Sequence, residues 1–393
     1  MIVREYIKCD TCDHPHIARI QVGHGGRQEH TFHCYNCKEP IILLMHVDNE
    51  NVTTAIELLT NCSRSTVANG TPIYLTPDFV ADETKIHDPF YFGSFDYFNS
   101  IMASGRAQRA VVLSDSTPGK NIAQGWNKLK KIWRLEDSKK FEISAPLNEK
   151  FSKEYGSESA DLKSNTWSFL NSTFALDQNL IDEFNNIATK NKSEFKKFLN
   201  FYKTDLRDSH RRSQFEILSE YFDNYKAYSQ VFPYVRFNMP IPPAAVATSI
   251  NFEGIKSFYA KAYEFYAGAI CIYTCLNNIK EGRSFDKLKN IDLKAYLGTD
   301  KAKRKASFDE NEIFSNASSE FDSKMRNASY HNWFFLLSDN KTIEFRSGGT
   351  GAVETISYTM YLYRCVRILA QIWQLMAIEL IFDEIAENID IKA

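Results

Sequence analysis

The chain has no excess of charge of either sign. Its 47 Lys and Arg stand against 49 Asp and Glu, a net charge of -2 over 393 residues. That balance excludes a globally basic nucleic-acid binder and leaves room only for a local basic patch. Long apolar runs are missing too. No stretch approaches the ~18 uninterrupted apolar residues of a membrane span. The longest candidate, 355–386, is broken by Arg364, Arg367, Gln371 and Gln374. The N-terminus, MIVREYIKCD, has no apolar signal core and meets a cysteine motif within ten residues. No internal repeat is visible. These absences predict a cytoplasmic chain with no membrane partner, in a compartment where thiols stay reduced.

Several catalytic patterns also fail. Around Gly119-Lys120 a phosphate loop needs glycine at 114 and Ser or Thr at 121; Ser114 and Asn121 stand there. Asp78, Glu83 and Lys85 superficially resemble a metal-nuclease set, but they lie too close together to occupy adjacent strands of a hairpin. Nothing supports a Ser/His/Asp hydrolase.

What is present is material for cores. Apolar residues make up 44% of the chain, with 29 Phe and 20 Tyr, which excludes wholesale disorder. The length suits two or three domains. β-like runs occur at 17–22 and 41–47. Residues 70–95 have no clear period. Helical runs cover 121–134, 178–206 and 209–230. The proline-rich segment 238–245 cannot be helical throughout and reads as a boundary. Beyond it, apolar residues recur at three and four through 252–281, the pattern of one long amphipathic helix. Ser307 and Glu310 suggest a capping box for a helix starting near Phe308. Residues 334–346 read as a hairpin turning at Asp339-Asn340, and a last helix is expected over 355–386. The expected fold is mainly α. A small β module spans 1–50, an irregular and helical middle region 51–240, and a helical bundle with a hairpin 250–393.

Cys9-Asp-Thr-Cys12 and Cys34-Tyr-Asn-Cys37 form two C-x-x-C knuckles. Two tight turns that each present two thiolates make a tetrahedral zinc site, and the β-like runs between them fit a zinc ribbon. A four-thiolate site has no open position, so the zinc is expected to be structural and no catalytic metal is invoked. His14, His16 and His33 lie beside the knuckles and offer alternative ligands. A redox role needs one pair and not two. What the ribbon contacts, nucleic acid or protein, stays open. Cys271 and Cys275 lie on an apolar helical run and read as core.

The stretch MRNASYHNW, 325–333, sets Arg326, Asn327 and His331 at the end of a polar helical segment. The motif Arg-Asn-x-x-x-His in a helical C-terminal domain resembles the HEPN superfamily, over about 250–393. Its signature is an arginine, four to six residues, and a histidine, often with a polar residue after the arginine. The resemblance implies a HEPN-like bundle, a homodimer with a composite cleft, and metal-independent cleavage of RNA. The chemistry agrees. Histidine, with an ordinary pKa of ~6.5, can move protons. Arginine stays charged and forks onto phosphate oxygens. Asn327 can orient His331 or donate to the phosphate. On a regular helix residues five apart point ~140° away from each other, so one copy grips a phosphate poorly unless the helix ends within the motif. The loop Lys301, Lys303, Arg304, Lys305 would attract RNA if it flanked the cleft.

The resemblance therefore implies an endoribonuclease of the regulated bacterial stress or anti-phage type, answering to a trigger or regulatory partner. The alternative is a non-catalytic RNA- or protein-binding scaffold, in which Arg326 pairs with a carboxylate and His331 packs beneath Trp333. A His331 ring that faces an open, basic, symmetric cleft favours the first; one buried beneath Trp333 with a carboxylate favours the second.

Overall fold

The computed structural model describes residues 1–23, 26–48, 53–103, 122–331, 333–348 and 351–390. The rejected phosphate-loop pattern at 116–121 lies outside them. The residues group into two units, each assembled from three stretches of chain. The first takes Met1–Asn121, Asn224–Lys256 and Ala328–Val366; the second takes Ile122–Asp223, Ser257–Asn327 and Arg367–Ala393. This grouping crosses the boundaries expected near 50 and 240.

Among the described residues all the strands fall in the first unit. β1 (Ile2–Cys9) and β2 (Pro15–Gln21) form one antiparallel hairpin; β3 (Gly26–His33) and β4 (Pro40–Asp48) form a second. β5 (Thr53–Thr60) extends the second hairpin. β6 (Cys62–Arg64) and β7 (Thr71–Leu75) flank the first, giving the order β6-β1-β2-β7. β7 runs parallel to β2. β8 (Ala81–Asp82) pairs with β9 (Ala245–Val246) across a long sequence gap. β10 (Phe334–Leu336), β11 (Thr342–Arg346) and β12 (Val353–Ser357) make a third small sheet. The inward residues of both hairpins, among them Ile7, Ala18, Ile20, Phe32, Ile41, Leu43 and Met45, share one apolar core. That shared burial pins the registers, because a one-residue slip would turn each inward set to solvent.

The expected fold class is overturned. The protein is mixed α and β, 53% helix and 19% strand, with several small sheets. It is not mainly α with β structure confined to a ribbon in the first fifty residues. Strands β5 to β7 lie in the region read as helical or irregular. Their pairing partners, β4, β1 and β2, supply an order that their own short patterns do not announce. The hairpin at Asp339-Asn340 is present and gains a third strand. Val353, Thr355 and Ile356, with β-branched side chains, pair with β11, so the last helix starts at Tyr358 and not at 355.

The second unit is helical. The helix Ile122–Asp137 buries Trp126, Leu129, Ile132 and Trp133, one stripe at helical spacing. The ring of Phe222 stacks on Trp126 at 5.6 Å. Phe169 lies 6.2 Å from Trp126 and 5.6 Å from Trp373. Trp373 is fully buried and its indole nitrogen donates to the Leu170 carbonyl at 2.9 Å. The helix Tyr358–Asp390 contains a stretch, Tyr358–Ile385, long and apolar enough to cross a membrane, but most of that stretch is buried inside the protein.

Two expected helices differ. The run 252–281 is in three pieces, Phe252–Ile255, Phe258–Ala269 and Cys271–Lys280. At Ile270 the backbone tightens to ψ -7, while its amide still bonds Tyr266 and Thr274 still bonds back to it. The capping box at Ser307 does not form. Residues Lys301–Ser307 make a 3-10 helix, and Asn311 caps the next helix, Glu312–Ala317, by accepting from the amides of Ile313 and Phe314. Asn311 takes that place because Asn is among the strongest N-caps.

Removing a buried, hydrogen-bonded indole leaves both a cavity and an orphaned carbonyl. Trp373→Ala should therefore lower stability by about 3–5 kcal/mol. Chemical denaturation measures it; a loss below about 1 kcal/mol would show that this ring is not central to the core.

Candidate metal centre and the Arg326–His331 segment

The hairpins β1–β2 and β3–β4 each turn at one C-x-x-C knuckle. The two knuckles fold alike. The amide of Asp13 donates back to the Cys9 carbonyl, and that of Lys38 back to Cys34, at 2.8 and 3.1 Å. The residue after each second cysteine, Asp13 (φ 55°) and Lys38 (φ 65°), takes the left-handed conformation that reverses the chain. The knuckles thus point four sulfurs at one point. Cys9 and Cys37 lie 3.7 Å apart, Cys12 and Cys34 3.6 Å, and all four sulfurs lie within 4.8 Å of one another.

A tetrahedral ion bonded to thiolates at ~2.3 Å spaces its sulfurs by about 3.8 Å. The cluster therefore fits a metal such as zinc. Among the described residues it is the one group of metal-ligating side chains brought together. Without a cation the four thiols do not share charge evenly. The backbone amide of His14, donating to its sulfur, brings Cys12 down to about 6. Burial pushes Cys34 up to about 12. A bound dication removes this conflict by holding all four as thiolates.

The three candidate histidines stay outside the cluster. His16 is fully buried, and its Nε2 lies 3.4 Å from the Cys34 sulfur. Burial lowers its pKa to about 4, so the ring is neutral and can donate to the thiolate from Nε2. His14 bonds Thr71 at 2.8 Å. His33 makes no bond through its buried Nε2.

A further residue escapes the sequence reading. Asn61 stands in the left-handed conformation between β5 and β6. Its Oδ1 accepts from Thr11 at 2.8 Å and lies 3.7 Å from the Cys9 sulfur, while its Nδ2 donates to the Pro40 carbonyl. One side chain thus braces both knuckles. The only sequence signal was an asparagine just before a cysteine.

The Arg326 segment is a helix, Ser323–Tyr330. Asp322 starts it by accepting from the amides of Lys324 and Met325. Arg326 and Asn327 are half-buried in the second unit. Arg326 Nε lies 3.0 Å from Glu264 Oε1, an ionic contact off the line of the N–H, which finds no aligned acceptor. Its guanidinium lies 5.6 Å from the centre of the Tyr263 ring. Glu264 also takes Lys301, at 2.7 Å through its other oxygen. Arg326 and one predicted RNA-binding lysine are therefore brought together around one carboxylate.

The other loop residues diverge. Arg304 is buried and donates to the carbonyls of Ala267 and Leu297, so its charge holds the fold. Lys303 is exposed and Lys305 half-buried. Of the weak metal-nuclease set, Glu83 pairs with Lys341, and Lys85 with Asp96 and Asp82.

The helix ends at Tyr330, inside the motif, so helical spacing does not govern His331. His331 belongs to the first unit and lies in the following turn, exposed, with the Tyr330 ring edge-on at 5.4 Å. It is not packed beneath Trp333, which is itself exposed.

No protein-family model, no curated protein and no solved structure matches this chain.

Chelation of the metal should strip the amides of β1 to β4 of hydrogen-exchange protection while those of Phe258–Ala269 keep theirs. Thiolate ligands must be deprotonated, so acidification should release the metal in parallel. Protection in β1 to β4 that survives full demetallation would contradict the assignment.

Proposed function

We propose that the protein is a metal-independent endoribonuclease, stabilised by a structural zinc at Cys9, Cys12, Cys34 and Cys37. The observation that carries the proposal is the exposure of His331 in the turn just past the helix of Arg326. An exposed imidazole can exchange protons with a substrate. In this reading His331 moves the proton of the ribose 2′-hydroxyl, whose oxygen bonds to phosphorus. The bond from phosphorus to the 5′-oxygen breaks, the leaving oxygen takes a proton, and a 2′,3′-cyclic phosphate remains. Arg326 holds the phosphate charge and Asn327 orients. No carboxylate other than Glu264 pairs with Arg326 among the described residues. Lys301, Lys303 and Lys305 draw in the RNA, and two chains act as a homodimer. A regulated toxin role follows from the HEPN resemblance alone, and in this reading residues 51–240 sense the trigger.

The second reading is a non-catalytic RNA- or protein-binding scaffold. The Arg326–Glu264 ion pair favours it, since a structural arginine would be held in that way.

The two readings separate on variants. His331→Ala and Arg326→Ala should each reduce RNA cleavage by ~10²–10⁴-fold with little change in melting temperature. Cleavage should proceed in EDTA before the zinc is lost, and a 2′-deoxyribose at the scissile position should block it. Arg326→Ala that melts the protein as Glu264→Ala does, with no cleavage by the parent, would establish the scaffold. Cutting of single-stranded DNA, or a magnesium requirement, would refute the mechanism.

A further inference from the structure

Beside the second knuckle the first unit encloses a cavity of about 250 Å³. Its walls come from distant parts of the chain. The knuckle supplies His33, Tyr35 and Lys38; the segment after β8 supplies Glu83 and His87; the turn before β11 supplies Lys341. The floor is apolar, formed by Ile73, Ile86, Val246 and Ile250.

The polar groups have specific bonding states. The His33 Nε2 is buried and has no partner. Such a nitrogen is costly to leave dry, so it marks where a ligand or water must bond. The His87 Nδ1 lies 3.0 Å from the Pro72 carbonyl. A carbonyl only accepts, so Nδ1 carries the proton and the neutral ring keeps its Nε2 lone pair as an acceptor. Lys38 donates to the Tyr35 carbonyl at 2.7 Å and hangs 5.2 Å from the centre of the Tyr35 ring. Tyr35 is half exposed, with His14 stacked at 5.8 Å and His87 edge-on at 5.1 Å. Two lysines face one carboxylate, Glu83, which pairs with Lys341. Asp339 and Glu39 also act on His33, so the rim holds cationic side chains among carboxylates and has no net positive charge.

Size and chemistry together narrow the ligand. The volume equals roughly eight waters and falls just below the range of drug-sized ligands, so it holds one planar ring system and leaves a larger ligand's remainder at the rim. Apolar lining residues with the Tyr35, His33 and His87 rings beside them suit a heteroaromatic ring. The unpartnered His33 Nε2, a donor or an acceptor according to tautomer, and the His87 Nε2 lone pair can both meet the polar edge of a nucleobase. The two lysine ammonium groups, Lys38 and Lys341, can donate to a phosphate.

We propose that this cavity binds one nucleotide, with its base on the Ile73–Ile86–Ile250 floor and its phosphate between Lys38 and Lys341. A free nucleoside monophosphate and the 5′-phosphorylated end of an RNA strand present the same chemistry. The proposal does not depend on the cleavage reading.

The test is calorimetric titration of the full-length, metal-loaded protein. The probes are each of the four nucleoside 5′-monophosphates, inorganic phosphate, and a short RNA with and without its 5′-phosphate. Saturable single-site binding of a monophosphate identifies the free nucleotide as a ligand. Binding of the phosphorylated RNA alone identifies the strand end. In either case Lys38→Glu and Tyr35→Ala should each weaken binding ~tenfold or more. Both side chains are on the rim, and unchanged metal content and circular dichroism show that the fold is kept. No binding by any nucleotide probe overturns the proposal. So does phosphate alone binding as tightly as a nucleotide, or binding that neither substitution changes.

Discussion

Four sulfur atoms brought to within 4.8 Å of one another are the constraint around which the first unit is organised. The two hairpins belong to different sheets, and their tips meet at this point. Cys9 and Cys34 are buried in the same core as Ile7, Ile20, Leu43 and Met45. Without a cation the His14 amide brings Cys12 down while burial holds Cys34 up, so the cluster carries its charge unevenly. A dication turns the same four groups into a cross-link between two sheets. The outer layer is built around it: His16 lies within hydrogen-bond reach of the Cys34 sulfur, Asn61 spans both knuckles, and Asp13 and Lys38 take up the left-handed turns.

The second unit is held by different physics. Rings from distant helices, Trp126, Phe169, Phe222 and Trp373, meet stacked and tilted around one centre. Within this apolar unit sits a buried polar knot, in which His210 lies 2.5 Å from Glu379, and Gln214 donates to the other oxygen of the same carboxylate. Each polar atom of that carboxylate is used, as burial of a charge requires. Glu264, half-buried, works in the same manner for Lys301 and Arg326.

The legible parts of the molecule were those whose signal is local. C-x-x-C spacing announces a metal knuckle because two ligands on one turn need nothing from elsewhere. The stripe Trp126, Leu129, Ile132, Trp133 announces its helix for the same reason. The illegible parts depend on partners far away. β7 is five residues long and is ordered by β2, more than fifty residues earlier; β8 is ordered by β9, more than 150 residues later. This is why the chain read as mainly α and proved to be mixed. At the Arg326 segment the residues were visible and their neighbours were not. Glu264 lies sixty-two positions before Arg326, and nothing in its own surroundings marks it as a partner. Arg304 shows the converse, since a run of basic residues does not reveal which member turns inward to cap carbonyls.

The account depends most directly on what the four cysteines hold. X-ray absorption at the zinc edge, on the full-length protein as purified, addresses this without substitution or chelation. The prediction is one zinc per chain with four sulfur neighbours at ~2.3 Å and no light-atom ligand in the first shell. A natively folded protein that carries no metal, or a zinc bound through a histidine nitrogen in place of one cysteine, would contradict it.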